Sequence, residues 1–165
     1  MQGTAYFSDC GRYRYALTRH WDTGPTCTFV GLNPSNADAT KDDATVRKCV
    51  RFAQTWGYAG MSLVNLFARR CRYPQALKTS ADPVGPDNDR WLASVLDDAP
   101  LGIAMWGNPG LRAYGDVSRR DLTVLARHNH WLCFGLTRQG APKHPLYLPS
   151  TTALCPFNHD CIQRT

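Results

Sequence analysis

Asn33, Ser35, Asn65, Arg69, Asn108, Arg138 and His144 are the residues whose types and placing could do chemistry. Each falls at or just past the end of an apolar run, or in the loop that follows one. An amide offers a donor and an acceptor side by side, which suits the edge of a flat polar ligand. A guanidinium binds phosphate or carboxylate through paired N–H bonds. A histidine among them can stabilise negative charge as it develops. The set has no obvious carboxylate pair. No Gly-x-Gly-x-x-Gly, Walker loop or Gly-x-Ser-x-Gly is present, so the common nucleotide cradles and the nucleophile-elbow hydrolases find no support.

The elements that must position these groups alternate along the chain. Residues 5–21 predict a β-hairpin turning at Asp9-Cys10-Gly11. Its second arm alternates Arg and Tyr, which places Tyr13, Tyr15 and Leu17 on one face and Arg12, Arg14 and Thr18 on the other. Thr28-Phe29-Val30-Gly31-Leu32 predicts a buried strand that Asn33-Pro34 stops, because proline has no N–H and a fixed φ. Residues 42–58 predict a helix with Val46, Cys49, Val50, Ala53 and Trp56 on its apolar side, Asp42 and Asp43 suiting its N-terminus. Strands follow at 61–68, 101–107 and 130–136, and helices at 87–97 and 116–127. Residues 73–88 predict an irregular loop, long enough to suggest function. The tail from Pro149 shows no period. After the hairpin, the alternation of strand and helix predicts a three-layer α/β/α sandwich with a four-stranded, mainly parallel sheet. In such sheets ligands bind at the carboxyl edge.

The chain has 165 residues and a formal charge of +6, the size of a single domain spanning 1–165. That charge favours nucleic acid or a nucleotide as partner. Arg12, Arg14, Arg70 and Arg72 are the candidate contacts to its phosphates. No apolar run is long enough to cross a bilayer and no leader is evident, so the expectation is a cytoplasmic protein without membrane contact. The seven cysteines contain no Cys-x-x-Cys and read as reduced thiols. Cys155, His159 and Cys161, with His128 and His130 elsewhere, match no common zinc spacing, so no metal site and no cofactor is expected.

Several stretches carry a resemblance. Residues 8–15, Leu32-Asn33-Pro34-Ser35 with the residues after it to Thr40, Val64-Asn65-Leu66-Phe67-Ala68, 82–86, and His144-Pro145-Leu146-Tyr147-Leu148 resemble the DUF1643 family over nearly the whole length. A weaker resemblance is to the uracil/thymine-DNA glycosylases. Gly31-Leu32-Asn33-Pro34 is similar to their Gly-Ile-Asn-Pro-Gly motif, with Ser35 in place of the last glycine. His144-Pro145 is similar to their His-Pro-Ser-Pro motif, and Met105-Trp106-Gly107 to their Leu-Trp-Gly strand. This resemblance implies the glycosylase fold, with Asn33 and His144 as catalytic residues. Asn33 would position a water at the sugar's anomeric carbon. His144 would stabilise the departing base. Asn65 would read the base. Apart from the resemblance, Ser35, Phe67, Arg69, Asn108 and Arg138, at or just past the strand ends, are the further candidate substrate contacts. Two other readings stand beside the glycosylase one. One is an enzyme on free nucleotides or a related small molecule, with Mg²⁺ held by Asp38, Asp42 and Asp43. The other is a non-catalytic nucleic-acid binder using its arginines.

Overall fold

The computed structural model describes residues 1–115 and 117–158. Asp116, expected to open a helix, and His159 and Cys161, considered for zinc, lie outside the described residues. The strands are β1 Gln2–Phe7, β2 Arg14–His20, β3 Thr26–Gly31, β4 Gly60–Asn65, β5 Gly102–Ala104, β6 Trp131–Cys133 and β7 Cys155–Pro156. The helices are α1 Ala44–Thr55, α2 Asn88–Asp97 and α3 Arg120–Leu125. No helix of the described residues is long and apolar enough to cross a membrane.

All seven strands form one sheet in the order β1-β2-β4-β3-β5-β6-β7. Pairing is parallel across β4, β3, β5 and β6, and antiparallel at β1/β2, β2/β4 and β6/β7. The fold is α/β with a mixed sheet, and the expected four-stranded, mainly parallel sheet is corrected. The hairpin does not stand apart from the sheet. Leu17–His20 hydrogen-bonds antiparallel to Gly60–Leu63, and so extends the sheet by two strands. β7 adds a further edge from the tail that showed no period.

The two faces carry separate apolar clusters. On one, α1 buries Val46, Cys49, Phe52 and Ala53 against Phe29, Met61 and Ile103. On the other, Leu92 and Leu96 of α2 and Val124 of α3 pack against Val30, Val64 and Ala104. Alternation along each strand divides its side chains between the faces. α1 begins where its sequence says it should: Asp43 is the N-cap and accepts the Val46 N–H at 2.9 Å. Capping of this kind contributes about 1 kcal/mol.

The hairpin's alternation is broken. The β1/β2 register shifts between Tyr6, opposite Ala16, and Phe7, opposite Arg14. Tyr15 is the extra residue of a bulge, which turns the strand and re-aims its neighbours. Its ring stacks on Trp91 of α2 at 6.3 Å, while Leu17 joins the α1 cluster. Tyr15 and Leu17 are therefore not on one face, and Arg14 lies on the α1 side with Leu17. Arg14 is only 2% exposed, so it is not a surface contact for phosphate. The loop at 73–88 contains one 3-10 turn, Pro74–Thr79, anchored by Leu77 in the core.

Candidate functional site

The carboxyl ends of β3, β4 and β5 open into a cavity of about 670 Å³, within the usual range for small-molecule sites. Its base is buried: Arg14, Leu63, Asn65 and Met105 are each at most 3% exposed. One wall is the N-terminus of α1, at Asp43, Ala44 and Thr45, and another is the loop from Asn33 to Ser35. The rim carries His144, Tyr73 and Tyr147. The two tyrosines are 64% and 91% exposed, among the few large apolar side chains the chain leaves in solvent.

Asn65 ends β4, directly opposite Gly31 in the parallel ladder. A Cβ at Gly31 would stand 2.9 Å from Asn65 Oδ1, so only glycine leaves the amide its place. Behind it, Asn88 of α2 donates to the carbonyls of Asn65 and Leu66, and Arg120 of α3 donates to Leu66. The strand end is therefore braced from the opposite face. Yet the amide itself makes no hydrogen bond to the described residues, and its buried Nδ2 has no partner. A buried amide in that state costs about 1–3 kcal/mol, which a ligand acceptor would recover.

Asn33 is spoken for on one side. Its Nδ2 donates to the carbonyls of Pro34 and Cys71, at 3.0 and 2.8 Å, and approaches Cys71 Sγ. The Cys71 N–H returns a bond to Pro34. The group Asn33 leaves for a ligand is its carbonyl oxygen, an acceptor. Burial raises the Cys71 thiol, with Arg69 acting the other way, so it is protonated at neutral pH.

His144 caps the 3-10 turn Pro145–Tyr147, its Nδ1 accepting the Leu146 N–H at 3.3 Å. The proton of the neutral ring is then on Nε2, a donor. The ring keeps a solvent-accessible edge, but the walls around it desolvate the imidazolium. Desolvation lowers His144 from its ordinary value, against the pull of Asp43. The neutral tautomer is thus the form present at pH 7.

Asn33, Ser35, Asn65, Arg72 and His144 come together here, and Arg14 joins them from inside. Phe67 does not. It is fully buried on the other face, edge-to-face with Tyr114 at 5.1 Å, because two residues beyond Asn65 the chain has already turned into the α2–α3 core. Neither Asn108 nor Arg138 lines the cavity. Asn108 Oδ1 accepts the Thr137 hydroxyl, joining two loops, and Arg138 is exposed.

A second hollow of about 400 Å³ adjoins the first and shares Ser35, Cys71 and Arg72 with it. Arg12, Arg69 and Arg70 complete it. The hairpin turn builds it: Tyr13 bridges to Arg69, and the Arg70 N–H donates to Arg12. The three carboxylates considered for Mg²⁺ do not converge. Asp38 accepts the backbone of Thr40 and Lys41, Asp42 pairs with Arg19, and Asp43 caps α1. Among the described residues no group of three potential ligands stands together.

Tyr73, Tyr147 and Met105 were not among the expected site residues. The signal available for Tyr147 was a tyrosine two residues past a proline-bound turn with no apolar period to bury it.

Residues 14–146 match the family described as Protein of unknown function (DUF1643), and the chain belongs to that family. No curated protein and no solved structure matches it.

Proposed function

We propose that this protein is a nucleobase-directed enzyme on DNA or RNA, most simply an N-glycosidic hydrolase of the uracil-DNA-glycosylase kind. The observation that carries the reading is that Asn33, Asn65 and His144, distant in sequence, line one cavity that runs into an arginine groove. A strand lying along Arg12, Arg69, Arg70 and Arg72 places its phosphates in the groove and one extruded base in the cavity. Tyr73 and Tyr147 at the rim offer flat faces for stacking, worth about 1–3 kcal/mol per base. Asn65 has both a donor and an acceptor open for the edge of that base. Excision needs the base out of its stack.

In the reaction, a water held by the Asn33 carbonyl attacks the anomeric carbon of the sugar. The C–N bond breaks, and its electron pair leaves on the base. The Nε2–H of His144 hydrogen-bonds the anion as it forms. The water's second proton passes to solvent, and the base is protonated on release. Stabilising the leaving anion is the step where a preorganised donor contributes most, about 10²–10³ in rate for one hydrogen bond.

The test is single-turnover release of free base from oligonucleotides carrying uracil, hypoxanthine, mismatched thymine or hydroxymethyluracil. The native chain releases one of them. Asn65→Ala and His144→Gln, folded by circular dichroism, reduce release at least a hundredfold. Full release by both variants, or none by the native chain, overturns the proposal.

A further inference from the structure

The base of the cavity holds a guanidinium, that of Arg14, with no salt-bridge partner among the described residues. Arg14 is 2% exposed. Its Nη1 donates to the Ala37 carbonyl at 3.0 Å. Its Nε is buried with no partner, and its Nη2 makes no hydrogen bond among the described residues. Among those residues it also has no ion-pair partner, in contrast to Arg19 on the same strand, which pairs with Asp42. The free side of the group is thus the Nε/Nη2 edge. That edge carries two parallel N–H bonds, spaced for two oxygens of one ligand group. Burial lowers Arg14 to about 10, Asp43 partly offsetting this while Arg70 and Arg19 add to it, so the group is charged at neutral pH. A charged donor pair buried without a partner is costly, and the bulge at Tyr15 turns this one toward a cavity rather than solvent.

The geometry points to an oxyanion subsite at the base of the cavity, where the Nε/Nη2 edge of Arg14 binds a phosphate or carboxylate carried by the ligand. Asn65 Nδ2, also buried and unpartnered, supplies a further donor to the same ligand. Asp43 is the one carboxylate among the described residues that line the cavity. It is held as the cap of α1 and selects against anions that spread beyond Arg14. The cavity of about 670 Å³ admits either a free nucleotide with its phosphate innermost or an extruded base that carries a carboxylate, and only the second is compatible with a strand whose phosphates lie in the outer groove. This subsite stands whether or not base excision occurs, since it requires only binding.

The test is calorimetric titration of the full chain with two pairs of probes, uridine against uridine 5′-monophosphate and uracil against orotate. In at least one pair the anionic member binds at least tenfold more tightly. The first pair assigns phosphate and the second carboxylate. Arg14→Lys keeps the charge but not the paired N–H edge, and abolishes the preference. Arg12→Gln/Arg69→Gln, altered only in the outer groove, keeps it. If Arg14→Lys does not fold, the native chain and the groove variant decide, because a preference held by both supports the subsite. No preference in either pair overturns it. So does a preference that survives Arg14→Lys, or one that disappears in the groove variant.

Discussion

Gly31 and Asn65 behave as one unit, because the space the amide needs is the space a side chain at 31 would take. Gly31→Ala is therefore expected to weaken ligand binding about tenfold while moving thermal stability little, read by titration and by melting of the same sample. Phe67→Ala has the opposite signature. It opens a cavity in the α2–α3 core and costs about 3–5 kcal/mol in urea unfolding, while the ligand affinity of the folded variant is unchanged. His144 adds a pH dependence. Its folded pKa lies below the unfolded value near 6.5, so the unfolded chain binds more protons in between. Stability from this group is present above about pH 6.5 and is lost as pH falls through the folded value. His144→Gln flattens that slope in unfolding measured from pH 7.5 to 5. At this scale residue type and position at a strand end pick out Asn33, Asn65 and His144, which line one cavity, but they pick out Asn108 equally, and it ties two loops together instead. Phe67 could not be placed this way, because which way a side chain faces after a strand ends depends on the turn that follows.

At the scale of elements, the acidic stretch before α1 is fastened to the hairpin. Arg19 reaches Asp42 with Nε and Nη2, at 2.9 and 2.7 Å, and Nη2 also reaches the Asp38 carbonyl. Asp42→Ala leaves a buried guanidinium short of its counter-charge, a change that costs about 3 kcal/mol. Denaturant titration of the variant against the native chain reads it. The same fastening holds the wall that carries Asp43 and the N-terminus of α1, so the variant also binds ligand more weakly. The strand–helix alternation was legible because each buried strand is a short apolar run and α1 has its cap residue in place. The bulge was not. Arg and Tyr alternate over residues 12–15 and Ala16 is small enough for either face, so only pairing with β1 makes Tyr15 the extra residue and swings Arg14 inward. The β2/β4 pairing was equally hidden, since a hairpin's sequence does not say which edge it joins.

Across the whole molecule, the net charge of +6 is not spread evenly in its consequences. Arg12, Arg69, Arg70 and Arg72 gather at one groove, next to the cavity and its two exposed tyrosines. If about four phosphates are neutralised there, the affinity for single-stranded nucleic acid falls with salt at a log–log slope of about −3. Arg12→Gln/Arg69→Gln brings the slope to about −1.5. Tyr147→Ala, at a side chain 91% exposed, leaves folding unchanged but weakens strand binding.

Excision as proposed requires that a base from a bound strand enter the cavity. Photocrosslinking with single-stranded oligonucleotides carrying 5-iodouracil is the direct test, because it does not depend on base release. After irradiation and peptide mapping, the expected result is crosslinks at Tyr147 or Tyr73 that fall about tenfold in Gly31→Ala, which displaces the Asn65 amide. Crosslinks confined to residues of the outer groove, with none on the cavity rim, would contradict it and leave a protein that binds the strand without taking in a base.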